Sequence, residues 1–195
     1  MNDVRVVQPV GGPMVGSVVI PGSKSQTNRA LLCAALAEGD SRLSGALFAD
    51  DTEAMLEAVV SMGAEVKVDR AQATLEVSGT GGDLSFEKTV IDCRSSGTTS
   101  RFLLPVLVAG KGDVKIDGSN QLRSRPFGEQ IRALRSLGCT LNEIRAPGEL
   151  PIEIAASGVD GGKVEISGAT SSQFVSGLML AAPLYVGGLT MELID

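Results

Sequence analysis

Three times along the chain, a strand-like apolar run gives way to a short polar stretch and then to a long apolar run with helical character. Val18-Val19-Ile20 leads into residues 21–29 and then 30–37, and Thr89-Val90-Ile91 leads into residues 94–101 and then 102–109. Lys163-Val164-Glu165-Ile166 leads into residues 168–173 and then 174–186. A glycine closes each apolar run, at Gly39, Gly110 and Gly187, and another strand-like run follows. The isoleucines Ile20, Ile91 and Ile166 lie 71 and 75 residues apart. A repeated unit of about seventy residues is the simplest reading.

After the first two units the period becomes that of an amphipathic helix. Met55, Leu56, Val59 and Met62 share one face, and Phe127, Ile131, Leu134 and Leu137 share the corresponding face of the second copy. Gly63 and Gly138 stand where a left-handed residue ends a helix. Residues 65–68, 74–77, 113–116, 152–154 and 189–193 mostly alternate apolar with polar, as half-buried strands do. The first helix of each unit is apolar nearly all round and so belongs inside. Together these patterns predict an α/β (α+β) fold of repeated βαβαββ-type units, with outer sheets around buried helices and an incomplete third unit. Pro105 and Pro183 should kink or end their helices. Residues 79–85 and 146–151 read as exposed loops.

Composition narrows the chemistry. With 195 residues, no Trp and 3% aromatics, the core must be aliphatic, and 24 glycines suit many tight turns. A net charge of −6 argues against sequence-independent nucleic-acid binding. No apolar run reaches the roughly 20 residues of a membrane span, and the N-terminus lacks a signal peptide's pattern. Three scattered cysteines suit a reducing, cytoplasmic setting, and the absence of His leaves no expected metal or cofactor. It also removes any His-based nucleophile. Neither a Walker loop nor a dinucleotide fingerprint occurs.

Small anions need only local cations, and these cluster near the repeated helix starts: Lys24, Arg29, Arg94, Arg101, and nearby Arg123 and Arg125. A helix N-terminus offers free N–H groups and partial positive charge. Ser25, Thr98, Ser171 and Ser172 can cap those helices or touch a ligand. Arg29 and Arg101 each open an almost wholly apolar helix, where a cation needs an anionic partner or an open cleft.

These residues resemble a known family. Pro21-Gly22-Ser23-Lys24-Ser25, Arg29-Ala30-Leu31, Asp50-Asp51-Thr52, Gly97-Thr98, Arg101, Arg123, Arg125-Pro126 and Ser171-Ser172-Gln173 are similar, in order, to the N-terminal half of the 5-enolpyruvylshikimate-3-phosphate synthases. The resemblance implies transfer of the enolpyruvyl group of phosphoenolpyruvate to the 5-hydroxyl of shikimate 3-phosphate, on the route to chorismate. It implies a two-domain molecule of three repeats per domain, with substrates in the cleft between domains. By position, Lys24 would touch phosphoenolpyruvate and reach shikimate 3-phosphate. Ser25 and Arg29 would hold the shikimate carboxylate. Ser171 and Ser172 would bind the 3-phosphate, and Gln173 would lie against both substrates. Gly97 and Arg125 would hold phosphoenolpyruvate.

Two features depart from that pattern. Where the family has Gly-Asn-Ala-Gly-Thr-Ala-x-Arg-Pro, this sequence reads Arg94-Ser95-Ser96-Gly97-Thr98-Thr99-Ser100-Arg101-Phe102. Family members are also much longer. On the resemblance, residues 1–17 would belong to a second domain, poorly ordered or paired with another chain, and residues 18–195 would form the shikimate-binding domain. The catalytic acid and base would then lie in that second domain, leaving no catalytic residue here. A half-molecule that binds substrate weakly without turnover, needing a complementary chain, is one alternative. A sister transferase acting on UDP-N-acetylglucosamine is another. That enzyme favours a Ser-Gly-Ala-Lys-Asn start and a reactive cysteine in the loop that here reads Ser119 to Ser124, without cysteine.

Overall fold

The structure is a computed structural model that describes residues 5–194; residues 1–4 of the expected N-terminal segment and Asp195 lie outside the described residues. In chain order the elements are α1 (Lys24–Leu36), β1 (Asp40–Ser44), α2 (Asp50–Ser61), β2 (Glu65–Asp69) and β3 (Thr74–Ser78). Then come β4 (Ser85–Asp92), α3 (Gly97–Leu107), β5 (Lys111–Asp117), the short α4 (Asn120–Arg123), α5 (Gly128–Ser136), β6 (Thr140–Glu143) and β7 (Ile152–Ser157). The last are β8 (Gly162–Ile166), α6 (Ser172–Ala181), a 3₁₀ turn (Ala182–Leu184) and β9 (Leu189–Leu193).

These strands make three sheets, ordered β1-β3-β2, β4-β5-β7-β6 and β8-β9. In the second and third units the strand before the first helix pairs in parallel with the strand after it, β4 with β5 and β8 with β9. Period-two alternation places the core. Ile91, Ile116 and Ile152 lie in register across the large sheet, as do Val114, Ile154 and Leu141, and all six are buried. They pack with α3, in which every residue except Arg101 is buried. Phe102, Phe127 and Phe174 are fully enclosed, and each such side chain contributes about 1.5–3 kcal/mol by leaving water.

Three expectations are corrected. The run Val18-Val19-Ile20 forms no strand and lies exposed, as do all described residues before it. A strand requires a ladder partner, and β1 pairs with β3 but not with this run. Only α3 is buried all round, because α1 turns Cys33 to solvent and α6 leaves Met179 60% exposed. The loops at 79–85 and 146–151 are anchored rather than wholly exposed, since Leu84 and Leu150 are buried and Ser85 already belongs to β4. Among the three glycines closing the apolar runs only Gly39 has positive φ, whereas Gly63 and Gly138 adopt the expected left-handed conformation.

The prolines behave as their chemistry requires. Pro183 lies in the 3₁₀ turn that ends α6. Pro105 has no N–H to give the carbonyl four residues earlier, that of Arg101. That carbonyl instead accepts a 2.7 Å bond from the side-chain amide of Gln130, which is fully buried. Gly177 of α6 passes so close that a Cβ there would lie 2.3 Å from the same oxygen. The close approach brings α6 against α3 and sets the distance between their starts.

Candidate anion-binding site at three helix starts

The three first helices begin alike. Ser23, Ser96 and Ser171 are their N-caps, and each hydroxyl accepts from a backbone N–H, of Gln26, Thr99 and Gln173 respectively. Capping by these three leaves Ser25, Thr98 and Ser172 free of that duty. Gly22 permits the first start to sit against the neighbouring turn, since a Cβ there would fall 2.1 Å from the Gly45 carbonyl.

Side chains then tie the starts together. On α1, Arg29 stacks over the ring of Phe102 of α3 at 4.6 Å and donates to the Ser176 hydroxyl of α6 at 3.4 Å. It also donates to the hydroxyl of Ser25 and, at 3.1 Å, to its carbonyl. On α3, Arg101 donates from Nη1 to Ser171 Oγ at 3.1 Å and to Gln173 Oε1 at 3.0 Å. The Gln173 amide donates in turn to Thr98 Oγ1 at 3.0 Å. Arg125, just beyond α4, reaches over Gly97, where a Cβ would lie 2.6 Å from its Nη1. Lys24 is bound to Asp51 at 3.1 Å, and the backbone carbonyl of Asp51 accepts from Thr99. Lys24, Ser25, Arg29, Gly97, Arg125, Ser171 and Gln173 therefore stand at one end of the helical layer. Ser172 opens α6 beside them and is exposed.

The arginines near the helix starts divide into two groups. Arg94 pairs with Asp50 at 2.9 Å and Glu57 at 2.7 Å, and Arg123 forms a two-pronged bond with Asp117, both arms 2.8 Å. These two, grouped with the anion-binding cations on sequence alone, are instead neutralised by the fold. Arg29, Arg101 and Arg125 have no carboxylate within ion-pair distance among the described residues. Burial pushes the Arg101 guanidinium's pKa down, and the neighbouring charge of Arg125 adds to that. Its Nε is buried without a partner among the described residues. Three guanidiniums gathered without counter-charge are costly unless an anion joins them.

A concavity of about 530 Å³ also exists on the outer face of the β4-β5-β7-β6 sheet, lined by Lys115, Asn142 and Glu153 among others. Its charges alternate in sign and it holds none of the unpaired arginines, so it reads as a solvated sheet face.

The family described as EPSP synthase (3-phosphoshikimate 1-carboxyvinyltransferase) matches residues 9–195. The chain belongs to the EPSP synthase family. The 3-phosphoshikimate 1-carboxyvinyltransferase of Pseudomonas syringae pv. tomato is 42% identical over 189 residues, covering 96% of this chain and 44% of that protein. In Halalkalibacterium halodurans, 3-phosphoshikimate 1-carboxyvinyltransferase 2 is 38% identical over 186 residues, covering 94% and 41%. The solved EPSP synthase from Acinetobacter baumannii superposes with a TM-score of 0.83 at 26% identity, over 92% of this chain and 41% of that one. The chain thus spans less than half the length of the EPSP synthases it matches.

Sequence reasoning missed three features of the site: the lock between Thr98 and Gln173, the Asp51 partner of Lys24, and the reach of Arg101 to α6. Only the last had a signal, a charge opening an apolar helix four residues before a proline.

Proposed function

We propose that this chain supplies the shikimate 3-phosphate-binding part of an enolpyruvyl transfer site. In this reading Arg29 and Ser25 hold the shikimate carboxylate, Ser171 and Ser172 the 3-phosphate, and Gln173 lies against the ring. Lys24, Gly97, Arg125 and Gln173 face phosphoenolpyruvate. The observation that carries the reading is the cluster of Arg29, Arg101 and Arg125 near capped helix starts, with no carboxylate within ion-pair distance among the described residues. Both substrates are small polyanions, and planar guanidiniums bind carboxylate and phosphate in two-pronged fashion. The carboxylate of Asp51, beside this cluster, is tied to Lys24. The chain alone is therefore expected to bind without turnover, in the cytoplasm, as one part of a two-domain site.

The test is a calorimetric titration of the chain with shikimate 3-phosphate, with inorganic phosphate and UDP-N-acetylglucosamine as controls. Selective heat for shikimate 3-phosphate, lost in Arg29→Ala, supports the reading. Equal response to all three ligands would defeat the substrate assignment, and steady release of phosphate from both substrates would defeat the claim of no turnover.

A further inference from the structure

We infer that Arg101 is a positioning residue: it aims the hydroxyl proton of Ser171 outward and fixes the carboxamide of Gln173 for an anion bound at the start of α6. This deepens the function proposed above and rests on it.

A serine hydroxyl has one proton and two lone pairs. At Ser171 one lone pair accepts from the Gln173 N–H at 3.2 Å, and the other accepts from Arg101 Nη1 at 3.1 Å. Neither partner can accept the proton, because a backbone N–H and a guanidinium only donate. The O–H is thus directed away from both, toward whatever anion occupies the helix start. The same logic orients Gln173. Its carbonyl oxygen must face Arg101, at 3.0 Å, so its NH₂ must face the Thr98 hydroxyl, also at 3.0 Å. One N–H is then used and the other is free for a ligand.

Arg101 is itself held firmly enough to serve. Its guanidinium lies over the ring of Phe174 at 4.9 Å and that of Phe127 at 5.8 Å. Its carbonyl, freed by Pro105, is clasped by Gln130 and closely approached by Gly177. No carboxylate pairs with it among the described residues, so its side-chain hydrogen bonds go to Ser171 and Gln173. A purely structural cation would ordinarily be neutralised, as Arg94 and Arg123 are.

The experiment uses the full chain, ¹⁵N-labelled, with Arg101→Met, Arg101→Lys and Arg101→Ala variants. The Gln173 side-chain NH₂ signals, assigned by their loss in Gln173→Glu, report the carboxamide directly. In the unmodified chain they should exchange with solvent more slowly than those of the exposed Gln121. Arg101→Met should move them to free-glutamine positions, and Arg101→Lys should hold them part-way. Millimolar guanidinium ion added to Arg101→Ala should return them toward their original positions. Titration with shikimate 3-phosphate should show affinity at least about tenfold weaker in the Met variant, with partial recovery in the Lys variant. Gln173 exchange as fast as that of Gln121 in the unmodified chain would overturn the inference, and so would unchanged Gln173 signals in Arg101→Met. The exchange comparison needs no variant to fold. If the unmodified chain binds neither shikimate 3-phosphate nor inorganic phosphate, the proposed function fails, while the Gln173 signals still decide what Arg101 does.

Discussion

Arg94 and Arg101 bracket the start of one helix, yet the fold treats them oppositely. Arg94 adopts a positive φ of 50° and lies against two carboxylates of α2. Arg101 hydrogen-bonds to a hydroxyl and an amide and lies over aromatic rings, with no carboxylate partner among the described residues. The same division separates Arg123, clamped by Asp117, from Arg125, lying bare over Gly97. One set is paired with carboxylates of the scaffold, and the other has no carboxylate partner among the described residues. A guanidinium's surroundings, rather than its place near a helix start, decide which set it joins.

The sharpest way to break this comparison is to remove one cation of each kind. Arg29→Ala is expected to cost about 1.5–3 kcal/mol of shikimate 3-phosphate binding, roughly ten- to hundredfold in affinity. Arg70→Ala, which removes the exposed partner of Glu53, should leave affinity unchanged. Equal losses from both would erase the distinction. Next in size is Gly97→Ala. Its Cβ would lie 2.6 Å from Arg125 Nη1, the mobile end of a side chain, so the guanidinium should swing away with little loss of stability. Phosphoenolpyruvate affinity should fall by up to about tenfold, and a stability loss without any binding loss would contradict the placement of Arg125.

Smaller effects belong to the scaffold cations. Burial alone would raise the pKa of Asp117, but the Arg123 guanidinium and the Gly118 N–H outweigh it and hold the carboxyl below its ordinary value. A carboxylate with a lowered folded pKa contributes stability that is full above the ordinary value, near 3.8, and is lost as pH falls through the lowered one. Asp117→Asn should therefore cost about 1 kcal/mol at neutral pH, less in acid, by chemical unfolding at several pH values. A loss independent of pH would mean that the ion pair is not its cause. The smallest change is expected from Arg94→Gly. Exposed ion pairs of about 0.2–1 kcal/mol are lost while strain at positive φ is relieved, leaving a net effect within about 0.5 kcal/mol.

The sequence reveals most of this fold because its periods are physical. Alternation places Ile116 and Ile152 inside, and helical spacing places Met55 and Val59 against the core. It misleads at Val18-Val19-Ile20, where β-propensity is strong but β1 does not pair with it, since propensity cannot see a missing ladder partner. That Lys24, Arg29 and Ser171 gather at helix starts is legible because charge and hydroxyl open apolar helices. Which arginines are neutralised is not legible, because Asp50 and Glu57 reach Arg94 only after α2 packs beside α3. Such pairings across distant segments leave no mark on local pattern.

The most direct test of the division is an NMR titration of the ¹⁵N-labelled chain with shikimate 3-phosphate, following the arginine side-chain Nε–H signals. Arg29, Arg101 and Arg125 should shift or slow their exchange as ligand is added, while Arg70, Arg94 and Arg123 stay fixed. Uniform small shifts across all six, or movement led by Arg94 and Arg123, would contradict the division.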